Sequence, residues 1–263
     1  MELSKDIFVK RKYKLTAIFL IIIGLFFASS FISDFNGIDG ILSVPRAIVW
    51  MAGNLIPDAK AFDRLPKIFE RLNETILLSI AVTVIAGVLA FGFSLFGSKT
   101  TKTNKVFSKI VRIIAAFFRN VPDVVWAMLF LFSFGQNMVT GFLALFFTTF
   151  GLLTRAFIET IDEVSSECVE ALEATGADFI QIVFQGIIPT SIAGIITWVL
   201  YMIETNIRSS TLIGILTATG IGYQFDLYYK RLEFGSVGLI VILIVAVVIL
   251  IETISNKIRR VIL

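Results

Sequence analysis

Six stretches of the chain contain no Asp, Glu, Lys or Arg: 15–33, 75–98, 124–154, 179–203, 209–225 and 234–251. A helix that crosses the hydrocarbon layer needs about 20 mostly apolar residues, so most of these stretches predict spanning helices. The run 124–154 is too long for one upright span, and Gly135-Gln136-Asn137 interrupts it with a turn signal. Divided there, its first half draws on residues ahead of Pro122, and its second half runs to about Phe157. The run 209–225 (SSTLIGILTATGIGYQF) is short and rich in Gly and Thr, which predicts a re-entrant or pathway-lining segment. Six spans follow, near 15–33, 74–97, 117–135, 138–157, 187–206 and 235–255, giving an all-α integral membrane protein.

Composition supports this. Apolar and aromatic residues make up 57% of the 263 positions and charged residues 16%, against about 25% charged in ordinary soluble domains. A single soluble core does not absorb that much apolar surface. The chain has no His and one Cys, Cys168. His-ligated metal sites, His-based triads, an intramolecular disulfide and Cys-cluster metal sites are therefore excluded. The net charge of +3 reflects basic residues beside the apolar runs, where they orient helices rather than bind nucleic acid.

Lys5, Lys10, Arg11, Lys12 and Lys14, the loop residues Lys99, Lys102, Lys105, Lys109 and Arg112, and the terminal Lys257, Arg259 and Arg260 all fall on one side if there are six spans. That predicts cytoplasmic termini in a bacterial cytoplasmic membrane. The external segment 34–73 dissents with five basic residues, but these are diluted by Asp34, Asp39, Asp58, Asp63 and Glu70. The first span reads as an uncleaved anchor rather than a signal peptide, because its apolar run extends to Ile32.

Residues 158–189 (IETIDEVSSECVEALEATGADFIQIVFQGIIP) carry the most information. Glu159, Glu163, Glu167 and Glu170 fall at i, i+4, i+8 and i+11, one side of a helix; a solvated face is the plain reading. The segment also resembles the coupling loop of permease subunits of binding-protein-dependent ABC importers. That pattern is Glu-Ala-Ala, three residues, Gly, nine residues, then two apolar residues flanking any residue, and Pro. Glu170, Ala171, Gly176 and Pro189 match it; Leu172 replaces the second Ala and Gly186 an apolar residue. In physical terms it is a helix, a left-handed cap at Gly176, a second helix from Ala177-Asp178, and Pro189 at entry to the next span. The resemblance implies that this loop docks into a cytoplasmic ATPase.

Further stretches are similar to phosphonate-type ABC transporter permeases. Arg119-Asn120-Val121-Pro122-Asp123-Val124-Val125-Trp126-Ala127 resembles that subgroup's Arg-x-x-Pro-Glu-x-x-Trp-Ala. Tyr201 to Ser210 resembles its Tyr-x-x-Glu-x-Asn-x-Arg-Ser-Ala, through Tyr201, Glu204, Asn206 and Arg208. Gly141 to Leu145, Gly151, Glu159 and Gly214 to Gly222 extend the likeness, with Thr217 and Thr219 where Gly is common. It covers about 73–256, which is expected to be the type I permease core, with 1–72 supplying a tail, first helix and external segment, and 257–263 a basic tail. It implies a type I importer transmembrane fold, two ABC ATPase subunits, an extracytoplasmic binding protein, a second copy of this chain and surrounding lipid. It implies no cofactor in this chain, since ATP and Mg²⁺ belong to the ATPase.

Other constellations bear alternative readings. Thr197, Tyr201, Glu204 and Arg208 form a polar stripe at i, i+4, i+7 and i+11. It lines a pathway for an oxyanion, with Asn206 of the same segment as a further pathway residue, or else holds an intrahelical Glu204–Arg208 pair at an interface. Lys105, Lys109, Arg112 and Arg119 form the basic side of an amphipathic helix on the inner leaflet, with an ATPase contact as the alternative. GFSLFGSKT at 92–100 misses the phosphate-binding loop pattern by the inserted Ser98, with no strand before it. The expected function is the permease subunit, not an enzyme, of an ATP-driven importer for phosphonate or a related phosphorus oxyanion. The rivals are a secondary carrier for a small anion, which predicts inverted repeats that are not found, and a membrane enzyme acting on phosphorylated lipid, which lacks a His base.

Overall fold

The computed structural model describes residues 2–262 apart from 34, 36, 102 and 103. Asp34 and Lys102, counted among the charged flanks above, lie outside the described residues. The chain divides into two compact units, residues 1–54 and 55–263; the second begins ahead of the position near 73 where the family resemblance starts. The first unit holds α1 (Glu2–Ile32), apolar from Leu15 onward, and α2 (Gly37–Asn54). α2 carries Asp39 and Arg46 and is not apolar enough to count as a span.

The second unit is built from α3 (Ala59–Asp63), α4 (Leu65–Gly97), α5 (Lys105–Asn120), α6 (Asp123–Phe134), α7 (Met138–Val164), α8 (Ser166–Ala174), α9 (Phe179–Gln181), a π-helical turn (Ile182–Ile187), α10 (Ile188–Thr217), α11 (Gly220–Lys230) and α12 (Phe234–Ile262). Among the described residues there is no strand. Among the described residues, five helices are long and apolar enough to cross a membrane, and the bent pair α5–α6 brings the number to six. α7 is the hub, packed against α4, α5, α6 and α10; 61% of its apolar stretch is buried, against 33% for α4.

Lipid is as apolar as Leu, so helices in a membrane associate by close packing rather than by expulsion of water. The contacts of α7 show this. Ala86 and Ala90 of α4 meet Phe150, Leu153 and Phe157. A Cβ at Gly97 would lie 2.4 Å from Ile158 Cδ1, and one at Gly151 only 2.5 Å from the Arg119 amide nitrogen. Side chains at these two positions would push α4 and α5 off α7.

Three expectations need correction. First, the span near 117–135 is not one helix. Val121 is extended (φ −91°, ψ 119°), as a residue before proline is driven to be, and α5 and α6 meet at 86°. α6 is 12 residues, about 18 Å, short of a full crossing. The amphipathic helix leading into this segment is present as α5. Second, 209–225 is not a segment of its own, set apart from the span before it. Its first half completes α10, Ala218 caps that helix in the left-handed conformation (φ 57°), and its second half begins α11. Gly214 and Gly222 let the two helices touch backbone to backbone; a Cβ at Gly222 would lie 2.0 Å from the Thr211 carbonyl oxygen. Third, the four glutamates at 159–170 do not share a helix face, because α7 stops at Val164 and α8 starts at Ser166.

Candidate functional site

The loop 163–189 forms a compact projection. α8 ends at Ala174 and Gly176 turns the chain at φ 84°. The Gly176 amide donates to the Glu173 carbonyl (2.9 Å) and the Ala177 amide to Leu172 (3.1 Å), so a left-handed cap satisfies the carbonyls that α8 leaves open. α9 starts at once through a reciprocal box: Asp178 Oδ1 accepts from the Gln181 amide (2.8 Å) and Gln181 Oε1 from the Asp178 amide (2.9 Å). Val169, Ile161, Ile182, Val183 and Ile187 form the buried centre of the projection. Outward it shows Glu167, Glu170, Ala171 and Ala174, with Ile180 at 65% and Phe184 at 66% exposure. Small and acidic residues beside exposed apolar ones give a contact surface that a partner can approach closely.

Pro189 enters α10 through the π turn. Proline lacks an N–H and its ring collides with the carbonyl four residues back. The wider turn relieves that conflict, and the Ile188 amide reaches Val183, five residues back. Gly186 lies in this turn, facing Leu172.

Where α4 and α7 end beside the first half of α5, one carboxylate joins the three. Asp162 Oδ1 accepts from Ser98 Oγ (2.5 Å) and the Lys99 amide (2.8 Å), and Oδ2 from Arg112 Nη2 (2.8 Å). Arg112 Nε and Ser108 Oγ also donate to the Gly97 carbonyl, the last of α4 (2.9 and 2.8 Å). The segment that resembled a phosphate loop thus holds a carboxylate of its own chain.

On α10, Arg208 Nη1 donates to Glu204 Oε1 (2.9 Å). The Arg208 side chain is half exposed and that of Glu204 is 13% exposed. Tyr201 is exposed and Thr197 half-buried, so the stripe is open at Tyr201 and Arg208 and largely covered at Glu204. Asn206 does not belong to it. It points inward at 3% exposure, and its Nδ2 donates to Thr83 Oγ1 (2.9 Å) and Thr149 Oγ1 (3.0 Å), tying α10 to α4 and α7. Ser79 and Ser210 pair one turn away (2.7 Å).

At the opposite end from the projection, Arg64 Nη2 donates to Glu233 Oε1 (2.9 Å), Nη1 donates to Glu233 Oε2 and to Ser236 Oγ (3.0 Å), and the guanidinium lies over the Tyr228 ring at 4.8 Å. The hydrogen bonds and charge of Arg64 hold the Glu233 carboxyl below its usual range, and Glu233 raises Arg64 in turn. Further along α4, Glu70, Asn73, Glu74, Leu77, Met138 and Phe142 help line a cavity of about 660 Å³ between α4 and α7.

Residues 89–262 match the family of binding-protein-dependent transport system inner membrane components. The chain belongs to that family. It is a multi-pass membrane permease subunit of an ABC importer, not an enzyme, and permeases of this family work with a separate ATPase and a substrate-binding protein. Two Stutzerimonas stutzeri permeases named for phosphite transport are 30% and 27% identical over 84% and 81% of this chain, each match covering 77% of the relative. A phosphate-import permease of Mycolicibacterium smegmatis is 25% identical over 72% of this chain and 36% of its own length. In fold the permease is similar to the inward-facing MetNI methionine ABC transporter (TM-score 0.66, 19% identity, covering 74% of this chain and 96% of that one). It is also similar to an amino acid ABC transporter (0.59, 16%, covering 76% and 97%).

Sequence reasoning placed the turn at Gly176 in the permease but missed both clasps. Asp162 belongs to no motif of the sequence, and Arg64 and Glu233, 169 positions apart, share no local pattern. The one usable signal was the near-miss at 97–100, where backbone amides follow a helix end.

Proposed function

We propose that the permease forms half of the pathway of an ATP-driven importer for a small phosphorus oxyanion, phosphonate, phosphite or phosphate. The observation that carries this is Arg208: half exposed on the outward face of α10, with Glu204 engaging one edge of its fork. A guanidinium recognises two oxygens of a tetrahedral anion through paired hydrogen bonds. The names of the relatives agree in substrate class. Because the stripe is lined from one side only by this chain, a second copy related by a two-fold axis completes the pathway.

In this reading Glu170, Ala171, Gly176 and Pro189 shape a docking knob seated on the ATPase, which holds ATP and Mg²⁺, with one ATPase per permease. The termini and the knob are cytoplasmic, while the Arg64–Glu233 end faces the binding protein. Closure of the ATPases draws the paired knobs together and tips the core from inward- to outward-facing, a rigid-body two-state change. Thr197, Tyr201, Glu204 and Arg208 line the route, and Asn206 holds α10 in place behind them.

The test is uptake into proteoliposomes holding permease, ATPase and binding protein, with labelled phosphite, phosphate and methylphosphonate. ATP-dependent uptake of at least one is expected; uptake of an amino acid but of none of these anions overturns the reading. Orientation is checked separately. In a Cys168→Ala background, cysteine at Asp58 or Lys230 is expected to react with an impermeant thiol reagent in intact cells, and cysteine at Glu173 or Lys257 to be shielded.

A further inference from the structure

Asp162 lies three residues before the break at Ser165, so its carboxylate stands where α7 hands over to the docking helix α8. Three features set its clasp apart from the i,i+3 and i,i+4 ion pairs within single helices. It joins three elements rather than one: the Oδ1 partners follow α4, the Oδ2 partner is on α5, and the carboxylate is on α7. Its side chains are sheltered, with Asp162 24% and Arg112 22% exposed, whereas the neighbouring Arg155–Glu159 pair on α7 is 40% and 57% exposed. It is backed by packing without slack, since Gly97, whose carbonyl Arg112 also binds, touches Ile158 and Val111 with no room for a Cβ. On the far side of the break, Ser165 Oγ and Thr190 Oγ1 pair (2.7 Å), and Val169 of α8 packs with Ile161 of α7. The turn at Gly176 closes through its own backbone bonds and does not use Asp162.

We propose that Asp162 is a positioning residue that makes the cytoplasmic ends of α4, α5 and α7 move with the docking helix as one body. This rests on the docking reading of the loop. A displacement imposed on α8 reaches α7 across a helix break and α10 through the π turn that α8 packs on, while its hold on α4 is the apolar packing of Phe91 and Leu95 on the same cluster. With the clasp closed, it is carried to α4, which packs on both α7 and α10, and to α5, which leads into the elbow at Pro122. Charge-assisted hydrogen bonds converging on one carboxylate are stronger and more directional than an exposed helical ion pair. Coupling between distant sites is demonstrated when a rigid connection, rather than proximity, biases both.

The test uses the full complex in proteoliposomes. Asp162→Asn and Arg112→Gln are expected to retain the ATPase and hydrolyse ATP, while uptake per ATP hydrolysed falls about five-fold or more. Ser98→Cys/Asp162→Cys in a Cys168→Ala background is expected to be uncoupled when reduced. It should regain coupling when the two thiols are bridged by oxidation or a short bis-thiol reagent. Wild-type uptake per ATP in Asp162→Asn overturns the proposal. So does a bridged pair that stays uncoupled or blocks transport, and so does loss of the ATPase from Asp162→Asn, which would make the clasp a docking element. If Asp162→Asn fails to insert, the cysteine pair decides. Gly176→Val, run in parallel, separates the two readings: if it keeps its ATPase, the docking assignment fails whatever Asp162 does.

Discussion

Leu172 fills the space that a side chain at position 186 would need: a Cβ on Gly186 would lie 2.9 Å from Leu172 Cδ1. These are the two positions at which the loop departs from the importer pattern, and in three dimensions they are one exchange. Volume has moved from the π turn onto the docking helix. Gly186→Leu alone overpacks the site, at about 1–3 kcal/mol. Leu172→Ala alone opens a cavity, at about 2 kcal/mol for a half-buried leucine. The double variant redistributes the volume as the pattern has it and is expected to recover about 1–3 kcal/mol of the summed loss. Thermal unfolding of the purified permease measures this; strictly additive losses would show the two positions to be independent.

The docking turn depends on φ 84° at Gly176. A β-branched residue there costs about 1–3 kcal/mol, enough to shift the turn while the permease stays inserted. Gly176→Val is expected to lose the ATPase on co-purification, and Glu170→Lys to weaken its retention. Full retention with normal uptake in Gly176→Val would sink the docking assignment.

Arg208 and Glu204 separate pathway from scaffold. Arg208→Lys keeps the charge but not the fork and should retain part of the uptake; Arg208→Gln should retain almost none, with the complex assembled. Glu204→Gln should be milder. If the pair were only an interfacial brace worth a few tenths of a kcal/mol, both single variants and the double variant would transport alike. Labelled-anion uptake at matched expression decides.

The Arg64–Glu233 clasp predicts an acid-sensitive contribution to stability. Glu233 is held below its usual value of 4.5 by Arg64. A depressed carboxylate stabilises the fold fully above its unfolded-state pKa, and that contribution is lost as pH falls through the folded value. The melting temperature of wild type should therefore exceed that of Glu233→Gln at neutral pH, and the gap should close below about pH 4.5. A gap that does not narrow at all as pH falls below about 4.5 would mean that Glu233 acts through packing rather than charge.

What the chain's order of residues determined by itself was local. Uninterrupted apolar runs set the spans, because each spanning helix satisfies its own backbone and needs only enough apolar length. Gly135-Gln136-Asn137 separated α6 from α7, and Asn137 caps α7 by accepting from the Thr140 amide. Gly176 and Asp178 shaped the docking turn from groups at most five residues apart. The extra reach of α10 to Thr217 and the break at Ser165 were decided by packing, through the Gly214–Gly222 approach and the Ser165–Thr190 pair. Only the tertiary structure separated Asn206 from the α10 stripe, joined Asp162 to Ser98 across 64 positions, and set Leu172 against Gly186. In each case helices distant in sequence lie at van der Waals contact, so the role of a polar or small residue follows from which neighbour its helix faces, and helical periodicity alone does not specify that neighbour.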